Sequence, residues 1–167
     1  MAKIPVLEIF GPTIQGEGRV IGRKTMFVRT AGCDYRCSWC DSAFTWDGSA
    51  KEDIKLMTAE EIYEALLEIG GHRFNHVTIS GGNPALIKGI QELVNLFEEK
   101  HIYTALETQG SRFQSWMTQI DDLTIALKQE QSLNLNSQNI LSNTKKIETD
   151  NIDSKEDIIT PKASKKK

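Results

Sequence analysis

All three cysteines of this 167-residue chain, Cys33, Cys37 and Cys40, sit in one short stretch at the spacing C-x3-C-x2-C. A thiolate is a soft ligand, suited to zinc, copper(I) or an iron–sulfur cluster. Three thiolates leave a closed tetrahedral site one ligand short. A [4Fe–4S] cluster held by three cysteines keeps one iron without a protein ligand, and that iron can take a small molecule. The spacing therefore points to chemistry more than to scaffolding. Plainer readings stand beside it. Free cysteine is commonly a buried apolar residue. A structural zinc could take His72, His76 or His101 as its fourth ligand. A disulfide with one cysteine left over would need an oxidising compartment, and no apolar leader of the secreted kind opens the sequence.

Other polar stretches share the pattern of a strand end followed by glycine. Gly11-Pro12-Thr13-Ile14-Gln15-Gly16-Glu17-Gly18 reads as a glycine-rich loop, where backbone can approach a ligand or take positive φ. Composition alone also allows a plain turn. Gly81-Gly82-Asn83-Pro84 follows the apolar run His76–Ser80, and Glu107-Thr108-Gln109-Gly110 follows Ile102–Leu106. Arg29 is the charged exception in Lys24–Thr30. Arginine pairs bidentately with carboxylates and does not titrate, although a surface arginine at a strand end is the bland alternative.

These stretches need elements to hold them. Ile4–Phe10 reads as a short extended segment and Lys24–Thr30 as a strand of β-branched and aromatic residues. Thr58 with Glu61 predicts a capping box opening a helix on Ile62, Leu66 and Ile69, stopped by Gly70-Gly71. A second amphipathic helix is predicted over Ala85–Lys100, with Ile87, Ile90, Leu93, Val94 and Phe97 on one face. Strands are predicted over His76–Ser80, Ile102–Glu107 and Asp122–Ala126, and a short helix over Arg112–Thr118. His72 and His76 read as surface or hinge residues. Strands alternating with helices indicate an α/β chain of parallel βαβ units with right-handed connections. Hydrophobic residues at 39%, charged residues at 26% and a formal charge of −3 are ordinary for a soluble protein. They give no reason to expect direct nucleic-acid or membrane binding, and a cytoplasmic location is the default.

C-x3-C-x2-C with Trp39 before the last cysteine resembles the cluster motif of radical S-adenosylmethionine (SAM) enzymes. There the SAM amino and carboxylate groups chelate the fourth iron, and an electron releases a 5′-deoxyadenosyl radical. With Thr13-Ile14-Gln15-Gly16-Glu17-Gly18 upstream, the chain resembles the 7-carboxy-7-deazaguanine synthase family. The resemblance implies a radical SAM lyase converting 6-carboxy-5,6,7,8-tetrahydropterin to 7-carboxy-7-deazaguanine for queuosine biosynthesis. It implies Cys33, Cys37 and Cys40 on a [4Fe–4S] cluster and Trp39, Cys40, Asp41 and Gly82 on SAM. Ile14, Gln15, Gly16, Arg29 and Ser80 would meet the pterin, and Ser42 would bind Mg²⁺. Phe44 and Trp46 cover the adenine or pack. Asn83 stands where the superfamily has glutamate in Gly-Gly-Glu-Pro, which predicts a weaker hold on the SAM ammonium. Glu107 reads as a strand-end carboxylate held by a lysine. An electron donor such as flavodoxin and a homodimer are also implied.

The implied fold is a partial (β/α) radical SAM barrel over residues 1–128, incomplete at the C-terminal side. Family members carry Ser-Pro-Lys where this chain has Ala126-Leu127-Lys128. Residues 129–167 lack glycine, aromatics and cysteine and read as a disordered polar tail. The alternatives are a non-catalytic, cluster- or SAM-binding remnant of the family and another radical SAM class such as a glycyl-radical activase.

Overall fold

The computed structural model describes residues 2–127. The expected tail over 129–167 lies outside the described residues. The elements are β1 (Ile4–Ile14), β2 (Lys24–Thr30), β3 (Lys55–Met57), α1 (Ala59–Gly70), β4 (His76–Gly81), α2 (Ile90–Glu99), β5 (Tyr103–Thr108) and β6 (Asp122–Ile125). They form one sheet in the order β3-β1-β2-β4-β5-β6. β2, β4, β5 and β6 are mutually parallel, as the βαβ reading expects, with Thr30 beside Gly81 and Thr108 beside Ile125. Their C-terminal ends therefore share one rim. β1 runs antiparallel to both β2 and β3, so the sheet is mixed. This is a partial (β/α) barrel wall.

Strand pleating sorts the side chains, because alternate residues face opposite sides. Met26, Val28, Val77, Ile79 and Leu106 join the buried core with Ile62 and Leu66 of α1 and Ile90, Leu93, Val94 and Phe97 of α2. The other face carries Phe27, Arg29, Thr78, Ser80, Ala105 and Glu107, in register across β2, β4 and β5. One face is thus sealed by helices, and the other is free to be polar near the rim.

α1 begins as expected. The Thr58 hydroxyl accepts from the Glu61 N–H at 3.2 Å, and the Glu61 carboxylate accepts from the Thr58 N–H at 2.6 Å. Other boundaries differ from the sequence reading. β1 does not stop at Phe10 but runs through Gly11-Pro12 to Ile14, with a break in register between Phe10 and Thr13. Gly11 takes φ +126° there, a conformation that glycine permits. The glycine-rich loop therefore begins only at Gln15. β3 was not foreseen; its three residues are too few for a periodic signal. α2 begins at Ile90 rather than Ala85, because Pro84–Leu86 forms a 3-10 turn and Ile87 is extended. The predicted helix over Arg112–Thr118 is a 3-10 turn at Ser115–Gln119.

His76 corrects a further expectation. It is fully buried rather than on the surface or at a hinge. Its Nδ1 lies 2.7 Å from the Thr25 hydroxyl, and its ring stacks on Tyr103 at 5.6 Å. The Arg23 guanidinium lies 4.0 Å from the centroid of the same tyrosine ring. Nε2 has no hydrogen-bond partner among the described residues. Burial pushes the imidazole down to about 4 from 6.5, the Arg23 charge adds to this, and Asp122 and Asp121 oppose it. A base with a lowered native pKa is neutral when folded and takes up a proton on unfolding. Stability should therefore be full above pH 6.5 and decline as pH falls toward 4. His76→Asn should show a smaller fall in thermal midpoint over that interval than the parent. Equal slopes for the two proteins would exclude the effect.

Candidate active site

The site is assembled where the cysteine loop meets the turns after β4 and β5. The Gly82 N–H donates to the Thr30 carbonyl at 3.1 Å, and the Asn83 N–H donates to the Gly32 carbonyl at 2.7 Å. This approach leaves no room for side chains. A Cβ on Gly81 would stand 2.1 Å from the Thr30 oxygen, and one on Gly82 would stand 2.1 Å from the Gly32 oxygen. Gly81 also takes φ +126°. The glycine pair thus serves the docking of one loop on another before it serves any ligand.

Two cavities share a wall at this junction. The larger, about 410 Å³, is lined by Ile14, Gln15, Gly16, Arg29 and Ser80, the predicted pterin-facing set. The smaller, about 100 Å³, is lined by all three cysteines. Asp41, Ser42, Gly81, Gly82 and Gln109 border both. Trp39 is half exposed and is not among the residues lining either cavity. The remaining predicted residues are brought together.

In the larger cavity, Glu107 is the polar centre. Its Oε1 accepts from Gln15 Nε2 at 2.5 Å, and its Oε2 accepts from the Ser80 hydroxyl at 2.6 Å. The lysine expected to hold it is replaced by these two neutral donors. Gln15 is itself buried, and its loop is pinned by hydrogen bonds to Arg23 and Gly22. Glu107 carried a strand-end signal in sequence, but its link to Gln15 across the barrel carried none. Arg29 pairs with Glu8, and its guanidinium lies 5.3 and 5.5 Å from the ring centroids of Phe10 and Phe44. Phe10 in turn stacks on Phe27 at 4.8 Å. Phe44 therefore packs on the arginine.

In the smaller cavity, donors converge on sulfur. The Tyr35 N–H lies 3.4 Å from Cys33 Sγ, the Gln109 amide 3.7 Å from the same atom, and the Trp46 indole N–H 3.4 Å from Cys40 Sγ. The Arg36 guanidinium lies 4.7 Å from the Trp46 ring centroid. Burial pushes the Cys33 thiol up, and the Tyr35 N–H partly offsets this. A metal must therefore displace a proton there. Donors aimed at sulfur suit thiolate ligands, and such outer-shell bonds orient them. Among the described residues no three His, Cys, Asp or Glu side chains are grouped to hold one metal ion. A cubane does not ask for that, because each thiolate takes a different iron. His72 lies exposed in the turn before β4, His76 opens β4 and His101 precedes β5, all at the far ends of those strands from the cysteine loop. The donor set fits a cluster better than a single zinc.

Asn83 does not face either cavity as the sequence reading supposed. Its side chain is fully buried among Asp34, Ser111, Thr108 and Ala85. Burial pushes the Asp34 carboxyl up, but hydrogen bonds from Ser111, Asn83 and Gln109 outweigh it and hold it below its usual value. Ser42 donates to Asp41 at 2.8 Å, next to both cavities.

Residues 27–137 match the family model of the radical SAM superfamily. The chain belongs to that superfamily. It is 71% identical over 129 residues to 7-carboxy-7-deazaguanine synthase of Bacillus subtilis, covering 77% of this chain and 53% of the relative. It is 66% identical over 128 residues to the Bacillus cereus protein of the same name, covering 77% and 54%. The crystal structure of QueE from Escherichia coli superposes with a TM-score of 0.66 at 26% identity, over 77% of this chain and 61% of that one. The chain thus spans about half the length of the Bacillus relatives. Among the described residues no helix is long and apolar enough to cross a membrane.

Gly82→Ala should force Gly32 away from the β4 turn, lowering the thermal midpoint and the iron retained after anaerobic reconstitution. Gly16→Ala, whose Cβ would meet nothing within 4 Å, should leave the midpoint unchanged. Equal midpoints for the two variants would show that the close approach is not a constraint.

Proposed function

We propose that the chain is a radical SAM lyase acting on 6-carboxy-5,6,7,8-tetrahydropterin to form 7-carboxy-7-deazaguanine with loss of ammonia. The observation that carries this reading is the shared wall. A thiol-lined cavity opens beside a polar one, and Asp41, Ser42, Gly81 and Gly82 border both. A small cofactor on the sulfur side and a flat polar substrate on the other would meet across that wall.

Cys33, Cys37 and Cys40 would hold a [4Fe–4S] cluster, with Cys40, Asp41 and Gly82 beside SAM. Trp39 keeps this assignment by resemblance alone. When bound, the cluster and SAM supply one electron and a carbon radical able to take a hydrogen atom from the substrate. The protein's own residues bind, orient and exclude water. Arg29 has further guanidinium N–H groups beyond its bond to Glu8, and these suit a substrate carboxylate. Glu107, Gln15 and Ser80 form a fixed row of acceptors and donors that suits a pterin edge. Ile14 and Gly16 wall the ring. Ser42 would give Mg²⁺ one oxygen, with waters and substrate completing its shell. A flavodoxin-like electron donor, a homodimer and a cytoplasmic location complete the reading. Residues 1–128 would be the working core and 129–167 a polar tail.

The test is anaerobic reconstitution of the full chain with iron and sulfide, followed by assay with the tetrahydropterin. Product should form. Cys37→Ala should abolish both the visible absorbance of the cluster and turnover. Arg29→Ala should keep the absorbance and weaken substrate binding, by about tenfold or more for a lost charge-assisted pair. A brown, SAM-binding protein that never consumes the tetrahydropterin would overturn the assigned reaction. Unchanged substrate affinity in Arg29→Ala would overturn that residue's role.

A further inference from the structure

We propose that Asn83 and Asp34 form a matched neutral–charged clamp that positions the cysteine loop, and that Asn83 is a positioning residue with no contact to bound ligand. The proposal rests on the cluster reading above only for its iron measurement.

The hydrogen bonds of Asn83 are complete within the protein. Its Oδ1 accepts from the Ala85 N–H at 3.2 Å and from the Thr108 hydroxyl at 2.8 Å. Its Nδ2 donates to Asp34 Oδ1 at 3.0 Å and to Ser111 Oγ at 2.9 Å. A backbone N–H can only donate, so the Ala85 bond fixes which way the amide points. A primary amide has two donor hydrogens and two acceptor lone pairs, and all four are used. The side chain is fully buried, so nothing remains to meet a nucleotide.

Asp34 follows Cys33 directly and is the other half. Its Oδ1 accepts from Asn83 and from Gln109, and its Oδ2 accepts from the Ser111 hydroxyl at 2.7 Å. The Ser111 oxygen in turn accepts from Asn83 and lies 3.5 Å from the Gln109 amide nitrogen. Donors and acceptors agree around Asn83 and Asp34, and the two Gln109 amide hydrogens go to Asp34 and to Cys33 Sγ, leaving the 3.5 Å approach to Ser111 as a contact only. One carboxylate on the cysteine loop is thereby tied to the turns after β4 and β5. Cys33 is held from its neighbour, and Gln109 also reaches its sulfur.

The charge logic follows from the 3.0 Å contact. A carboxylate at position 83 would set an acceptor oxygen against an Asp34 oxygen where Asn83 now donates. The amide at position 83 and the carboxylate at position 34 therefore belong together. The acidic group at this corner of the rim is supplied by Asp34.

The test is a charge exchange in the full chain: Asp34→Asn, Asn83→Asp and the double variant. Thermal midpoint is measured on each. Iron loss to a chelator is measured on each after anaerobic reconstitution. Asn83→Asp should lower the midpoint and lose iron about tenfold faster than the parent, as loss of an outer-shell partner does. The double variant should recover part of both, because a donor again faces a carboxylate. Recovery should be incomplete, because Gln109 must turn its amide. If Asn83→Asp does not fold, a folded double variant supports the clamp and an equally unfolded one overturns it. A double variant no better than Asn83→Asp overturns the pairing. So does an Asn83→Asp protein with the parent midpoint and tighter SAM binding, which would put residue 83 on the ligand. A parent chain that takes up no cluster would count against the proposed function, and the midpoints would still decide the clamp.

Discussion

The contact on which the site depends is between two stretches of bare backbone. The turn after β4 lies so close to the end of β2 and the start of the cysteine loop that Gly81 and Gly82 have no space for a Cβ. Two N–H groups of the turn satisfy the Thr30 and Gly32 carbonyls, which would otherwise be left without partners at the rim. Hydrogen bonds and steric exclusion act together here. From Gly32 to Ser42 no residue of the cysteine loop is fully buried, so burial alone does not hold it. Glycine's entropic cost in the unfolded chain is offset by the precision of the fit.

From this seam the two cavities follow. The parity of the parallel strands puts aliphatic residues against α1 and α2 and places Arg29, Ser80 and Glu107 on the opposite face. Near the strand starts that second face is closed by His76, Thr25 and Tyr103. Near the strand ends it opens into polar groups that bond to one another. Glu107 illustrates the economy. One carboxylate joins β5, the end of β4 and the loop after β1, so it orders three segments and lines the larger cavity at once.

Much of this was legible in the residues. The cysteine spacing, the Thr58–Glu61 capping box, the apolar strands and the glycines at the ends of β4 and β5 are local signals, and local signals survive without coordinates. What was not legible depended on long-range pairing. β1 continues past Pro12 because β2 offers it a partner, which no window of sequence reveals. β3 exists only as an edge against β1. His76 looked polar and exposed, yet its place at the start of a central strand buries it. Asn83 was read through its resemblance to a ligand-facing glutamate. Its actual direction is set by Asp34 and Ser111, residues 49 and 28 positions away. Trp39 is the converse case, a residue assigned by motif that lines neither cavity.

If Cys33, Cys37 and Cys40 hold a [4Fe–4S] cluster as proposed, one of its irons would have no protein ligand and would be available to SAM. Mössbauer spectroscopy of the full chain reconstituted with iron-57 tests it most directly, recorded before and after addition of SAM. The account predicts a [4Fe–4S] spectrum in which one iron site alone changes its parameters when SAM is added. A spectrum lacking the cubane, or a cubane whose irons are all indifferent to SAM, would contradict it.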